Sequence, residues 1–384
     1  MDIIREPYAI GYKDPSPLKD TYGGPTGRVF IECMRIRPRE QDRAASVIVF
    51  SHPIGGGAFL PLVTALAASG THCIYVNPRY RGNDTALIME KCVLDLGAAI
   101  RDLKQRFGYE KVLLGGWSGG GSLSLFYQDQ AENPSITHTP AGDAVNLKDF
   151  GLVPADGVML LAAHISRAVT MTEWLDPSIL DEDRPFERDL ALNIYHPQCP
   201  NRAPFSAEFA ATFRAAQIAR NRRITARAQA MLAELRASDT PEGERCFTVQ
   251  GTMSDLRWLD PTQDPSDREP YTCYLGDPRL VNDGPVGLGR FTTARSWLSQ
   301  WSYDLSNANG LKNGAGVSVP ALVLNNTADL ACTPSHAARL FDCLASKDKT
   351  YRDVQGADHY YIARPDLLPE AVGIVQGWMA ERGF

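Results

Sequence analysis

Gly116-Trp117-Ser118-Gly119-Gly120 reads G-x-S-x-G, and it stands between an apolar β-type run (Lys111-Val112-Leu113-Leu114) and a helical pattern from Ser118 to about Gln130. That placement suits a nucleophilic serine. A sharp strand-to-helix turn lifts the hydroxyl above the sheet edge, and small flanking residues let two backbone segments pass closely. The motif alone is only suggestive, because a glycine-rich turn also binds phosphate at a helix N-terminus or serves purely as a bend. The strand before it and the helix after it favour Ser118 as a nucleophile.

The elements that must hold such a serine are legible around it. Val47-Ile48-Val49-Phe50 and Cys73-Ile74-Tyr75-Val76 read as buried parallel strands, and Ala86 to Phe107 carries Met89, Val93, Leu96, Ile100 and Leu103 at helical spacing. Val158-Met159-Leu160-Leu161 is the next strand. The alternation stops there and resumes at Pro320-Ala321-Leu322-Val323-Leu324, then Tyr351 to Val354, then a closing helix from about Leu367 to Ala380. The expected fold class is α/β: a doubly wound, mostly parallel sheet, built from residues 1–163 and 318–384, with residues 164–317 inserted as a large, mainly helical cap. Within the insertion, Ser206 is the expected N-cap of one long helix, Ala207 to Ala237. Phe209, Phe213, Ala216, Ile224, Met231 and Leu235 fall roughly on one side, with Arg214, Arg220, Arg222, Arg223, Arg227 and Arg236 elsewhere.

In both sheet-forming segments the sequence resembles the α/β-hydrolase superfamily, through the Ser118 motif and through Pro78-Arg79-Tyr80-Arg81-Gly82-Asn83-Asp84, similar to the family's Arg-Gly turn. The insertion matches no family pattern. The resemblance implies a catalytic triad in the order serine, acid, histidine. Of seven histidines, only His359 lies beyond the last strand, in Gly356-Ala357-Asp358-His359-Tyr360-Tyr361, where the family places its base. His336, after Thr333-Pro334-Ser335 at an expected helix start, is the rival, better suited to packing or capping. The acid should follow the preceding strand, which points to Asp329; Asp353 and Asp358 stand nearer to His359 in sequence and remain alternatives. The family's oxyanion loop corresponds to Ser51-His52-Pro53-Ile54-Gly55-Gly56-Gly57. Proline lacks an N–H, so the expected donors are the backbone N–H groups of Ile54 and Gly119. Trp117, His52 and Tyr360 adjoin these positions and are the expected substrate contacts.

Composition narrows the remaining classes. The 384 residues are 44% hydrophobic and 22% charged, and 39 Lys+Arg against 45 Asp+Glu give −6, too mild for a polyphosphate or nucleic-acid partner. No apolar run reaches the length of a membrane span, and residues 1–15 lack a signal-peptide core, so a cytoplasmic location without membrane attachment is expected. Eight scattered cysteines without a C-x-x-C pair fit reduced thiols rather than a zinc knuckle or disulfide framework. There is no H-E-x-x-H and no G-x-G-x-x-G after the first strand, so neither metal nor other cofactor is expected.

The function expected from this set is hydrolysis of a carboxylic ester of a small to medium, apolar or aromatic substrate through an acyl-enzyme on Ser118. Diketone C–C hydrolysis and thioester hydrolysis use the same triad and stay open, and a non-catalytic ligand-binding homologue is the alternative from another class. Four of the six tryptophans (Trp174, Trp258, Trp297, Trp301) lie in the insertion with Phe205, Phe209, Phe213 and Phe291, as an aromatic pocket or as the insertion's own core. The helix arginines could attract a carboxylate or a coenzyme A thioester, or simply form a solvated face. The family's habit suggests a homodimer.

Overall fold

The computed structural model describes residues 1–20, 27–285 and 287–384. Among the described residues eight strands form one sheet: β1 (Ile3–Lys13), β2 (Arg28–Pro38), β3 (Ser46–Ser51), β4 (Cys73–Asn77), β5 (Lys111–Ser118), β6 (Gly157–Ala163), β9 (Ala321–Asn326) and β10 (Lys349–Val354). Their order is β1-β2-β4-β3-β5-β6-β9-β10. The β1/β2 and β2/β4 pairs are antiparallel, and every pair from β4 to β10 is parallel. Val47, Ile48, Val49 and Phe50 are all at most 1% exposed, the reason a parallel strand covered on both faces reads as an unbroken apolar run.

The strands and helices expected from the apolar pattern are present, with ends shifted by a few residues. β1 and β2 are additions. In β2 the buried residues Val29, Ile31 and Cys33 alternate with exposed ones, the period-2 signal of a strand with one wet face. From β3 the chain goes to β4 on one side and then returns to β5 on the other. The carboxyl ends of β3 and β5 therefore flank a topological switch point, where open α/β sheets form a crevice.

Residues 164–317 run between neighbouring strands β6 and β9. Two short strands here, β7 (Cys246–Thr248) and β8 (Phe291–Thr293), pair with each other in a separate two-stranded sheet. The long helix spans Ala207–Arg236, and Ser206 caps it by accepting from the Phe209 N–H. Three apolar clusters form in the segment. One joins Met171, Ile224, Met231, Trp297 and Trp301, the second joins Ile194, Phe205, Phe209, Phe213 and Leu256, and the third joins Trp174, Met253, Trp258 and Cys273. Most of the insertion's aromatic residues thus fill its own core, while Phe291 is exposed.

The arginines of the long helix do not make a free basic face. Arg220 is fully buried, bonding both Glu182 oxygens at 2.8 and 2.7 Å and the carbonyls of Asp176, Gln250 and Gly251. Arg214 bonds Gln217, Arg222 pairs with Asp304, Arg223 donates to the Ile179 carbonyl, Arg227 pairs with Asp183, and Arg236 donates to the Ala141 carbonyl. Each expected anion-binding cation already has a partner within the protein.

Candidate active site

Ser118 ends β5 and begins the turn into helix Gly119–Glu132, with φ 53° and ψ −125°. A positive φ in a residue with a Cβ costs on the order of 1–3 kcal/mol and persists only where neighbours enforce it. The enforcing neighbours are backbone. A Cβ on Gly120 would stand 2.2 Å from the Ser51 carbonyl oxygen, and one on Gly116 would stand 2.7 Å from the Gly121 Cα. The glycines therefore let β3, β5 and the helix pass at contact distance, and the β5/β6 register shifts at Trp117/Ser118.

Asp329 follows β9 and His359 follows β10. The Asp329 Oδ2 lies 2.6 Å from the His359 Nδ1, with side-chain exposures of 0% and 5%. The other oxygen, Oδ1, accepts the Ala331 and Cys332 N–H groups at 2.7 and 2.8 Å. A carboxylate so held fixes the imidazole tautomer: Nδ1 carries the proton, and Nε2 is left with a free lone pair. The His359 ring is further braced by Trp117 and Tyr360, with ring centroids 4.6 and 4.7 Å away, and the Trp117 indole N–H donates to the His359 carbonyl at 3.4 Å.

The rivals are engaged elsewhere. Asp353 accepts from Asn325, and Asp358 accepts the N–H groups of Tyr360, Ile362 and Ala363. His336 is buried between the Ile165 N–H on Nδ1 and the Glu173 carboxylate, 2.9 Å from Nε2. It serves packing.

Ser118 and His359 open into one cavity of about 300 Å³, with walls from both chain segments: Trp117 and Tyr360 from the sheet loops, Trp174 and Tyr274 from the insertion. The expected contacts Trp117, His52 and Tyr360 all line it. Residues not singled out from the sequence line it too: Asp84, His164, Arg167 and Thr170. Asp84 and Arg167 pair at 2.6 Å, although 83 positions separate them, a distance over which sequence pattern carries no signal. The His164 Nδ1 and Thr170 Oγ1 are buried without a hydrogen-bond partner among the described residues. Burial pushes the His52 imidazole down to about 3, with the Arg167 and His359 charges adding to the effect, and holds His164 well below its usual value.

Asp329, Cys332 and His359 each bring one possible metal-ligand atom to within 4.8 Å of the others. The set is poorly suited to a metal. Its carboxylate and imidazole are already bonded to each other, and burial together with the Asp329 charge pushes the Cys332 thiol well above its usual value, against the thiolate a metal requires.

The strand order, the turn at Ser118 and the loops after β9 and β10 together are those of the α/β-hydrolase fold, with serine, acid and histidine in that chain order. No protein-family model matches the chain, and no curated protein does. Solved structures similar to it include a monoacylglycerol lipase of Paleococcus ferrophilus, at 14% identity over 98% of this chain and 99% of that one, with a TM-score of 0.44. Another is the esterase domain of a Rhodothermus marinus protein, at 13% identity over 97% and 98% with a TM-score of 0.46. Brefeldin A esterase, a bacterial protein, is 16% identical over 98% of this chain and 77% of its own, with a TM-score of 0.43. Among the described residues no helix is long and apolar enough to cross a membrane.

Proposed function

We propose that this chain is a serine hydrolase that cleaves the carboxylic ester of a small to medium substrate with an apolar or aromatic part, with residues 164–317 acting as a cap. One observation carries the reading: a buried carboxylate–imidazole bond of 2.6 Å shares a cavity with a serine held at φ 53°. Ser118 is the nucleophile, His359 the base and Asp329 the group that orients it. The His359 Nε2 takes the proton from the Ser118 hydroxyl as Oγ attacks the ester carbonyl, and the tetrahedral oxyanion accepts the Gly119 N–H. The imidazolium then protonates the departing alcohol, and water, activated by the same nitrogen, releases the acid from the acyl-enzyme.

The substrate preference follows from the cavity. Trp117, Trp174, Tyr274 and Tyr360 offer flat apolar walls, and a volume of about 300 Å³ suits a ring or short chain better than a long lipid. The coenzyme A thioester reading loses its support because the helix arginines are paired. The test is labelling with a fluorophosphonate alongside a panel of p-nitrophenyl esters of increasing acyl length. We expect mass gain on Ser118, fastest turnover of short or aromatic acyl groups, and no turnover by Ser118→Ala. Full activity of Ser118→Ala, with the unsubstituted protein unlabelled, would end the reading. Tight ligand binding without labelling would favour the non-catalytic homologue.

A further inference from the structure

An oxyanion hole needs two donors, and the Gly119 N–H provides one. Since Pro53 has no N–H, the loop after β3 was expected to supply the other from Ile54. In the structure the three N–H groups that follow Pro53 are already engaged. The Ile54 N–H donates to the His52 Nδ1 at 3.3 Å, the Gly55 N–H to the His52 carbonyl at 2.7 Å, and the Gly56 N–H to the Asn77 Oδ1 at 2.8 Å.

The first of these bonds has a chemical corollary. An imidazole that accepts at Nδ1 carries its proton on Nε2 when neutral. The His52 Nε2 has no hydrogen-bond partner among the described residues, and His52 lines the cavity with Ser118 and His359. It also lies directly beside the residue that follows the nucleophile: a Cβ on Gly119 would be 2.7 Å from Nε2. Glycine at 119 leaves the space that the imidazole fills.

We propose that the side chain of His52, through its Nε2–H, is the second oxyanion donor of this site, in place of the Ile54 backbone N–H. The proposal rests on the serine-hydrolase reading above. The N–H stays on His52 throughout: negative charge builds on the substrate carbonyl oxygen as the Ser118 Oγ bond forms, and returns to the carbonyl bond as the leaving group departs. Burial pushes the ring down to about 3, so near neutral pH it is uncharged and keeps the tautomer set by Ile54. Neutrality also suits the neighbourhood, because Arg167 is nearby and His359 becomes cationic in the same step. His164 is the competing ring, with Nε2 at 3.4 Å from the same Cβ position, but its Nδ1 has no partner to fix a tautomer.

The experiment compares the unsubstituted enzyme with His52→Ala, His52→Gln, His164→Ala and Ser118→Ala on p-nitrophenyl acetate. It also measures inhibition by a phenyl trifluoromethyl ketone, whose adduct with Ser118 bears the oxyanion. Loss of one oxyanion donor costs about 10²–10³ in kcat. For His52→Ala we expect that loss, with KM within about threefold, and an equal weakening of ketone inhibition, because the adduct resembles the transition state. His52→Gln, which restores an N–H at similar reach, should recover at least about tenfold, and His164→Ala should lower kcat less than His52→Ala does; the reverse order would assign the role to His164 and overturn the proposal. Should His52→Ala fail to fold, the unsubstituted protein labelled with ¹⁵N-histidine decides the matter: ketone addition should move the His52 Nε2–H proton resonance downfield, and an unmoved resonance overturns the proposal. Near-normal kcat in His52→Ala beside an inactive Ser118→Ala overturns it while leaving the hydrolase reading intact. So does a fall in kcat with ketone inhibition unchanged, which marks a structural role. Turnover that does not depend on Ser118 removes both.

Discussion

Replacing Asp329 with asparagine changes one atom and, by the geometry of its surroundings, should abolish most of the activity. The Oδ1 of Asp329 is held by two backbone donors, Ala331 and Cys332, at 2.7 and 2.8 Å, and only an oxygen can accept from them. The asparagine amide oxygen must therefore stay there, which turns its NH₂ toward the His359 Nδ1, where a carboxylate oxygen now lies at 2.6 Å. Two donors cannot face each other, so His359 must move its proton to Nε2 and present an N–H to Ser118. The base is then blocked although every side chain keeps its place. A tautomer reversal of this kind costs about 10⁴ in kcat, or about 5 kcal/mol of transition-state stabilisation. Initial rates on a p-nitrophenyl ester, normalised by active-site titration, read the loss, and thermal unfolding of the same samples should change little because shape and burial are preserved. The rate of fluorophosphonate labelling should fall in parallel. Retention of more than a tenth of the activity by Asp329→Asn would refute the assignment of Asp329 as the orienting acid.

Two further predictions concern the scaffold. Gly120→Ala drives a Cβ into the Ser51 carbonyl oxygen, 2.2 Å away, and should destabilise by about 1–3 kcal/mol, whereas Gly373→Ala, in helix Leu368–Ala380 with nothing within 4 Å, should stabilise by about 0.5–1 kcal/mol. Urea titrations of the two variants check this, and equal midpoints would contradict the packing of the elbow. His72 is buried neutral, with Nε2 donating to the Gln41 carbonyl at 3.0 Å and the Tyr109 hydroxyl 2.9 Å from Nδ1, and burial pushes it down to about 4. Between that value and about 6.5 the unfolded chain binds a proton that the folded chain refuses, so stability falls as pH falls through this window. Unfolding free energies of His72→Gln should flatten there by up to one proton, about 1.4 kcal/mol per pH unit; an unchanged slope would show that His72 does not contribute to the acid limb.

Legibility followed the range of the forces involved. The glycines around Ser118, the buried parallel strands and the Ser206 cap are local matters, each dictated by a few neighbouring residues, and all were readable in order along the chain. The N-terminal strands β1 and β2 stand outside the βαβ pattern, because a strand with one wet face alternates, as β2 does, where a parallel strand covered on both faces is an unbroken apolar run. The helix arginines looked like a charged surface because sequence shows their spacing and not their partners; Arg220 is instead buried against Glu182, 38 positions away. Ile54 failed as a free donor for a similar reason, since a backbone N–H is available only when no nearby acceptor claims it, and the acceptor here is a side chain whose rotamer the sequence leaves open.

By itself the sequence determined which chemistry is possible: one serine in a turn that only glycine-rich neighbours permit, one histidine in the loop after the last strand, three candidate carboxylates on or after the last two strands, and a large segment between the serine and these. Those are consequences of covalent structure and short-range sterics. The tertiary structure alone decided that Asp329 rather than Asp353 or Asp358 meets the imidazole, that Trp174 and Tyr274 reach the cavity while Trp297 and Trp301 do not, and that the His52 Nε2 stands beside Gly119. Each of these depends on which surfaces are brought together across the sheet and the insertion, where burial and hydrogen-bond competition select a single partner among several that the chain order allows.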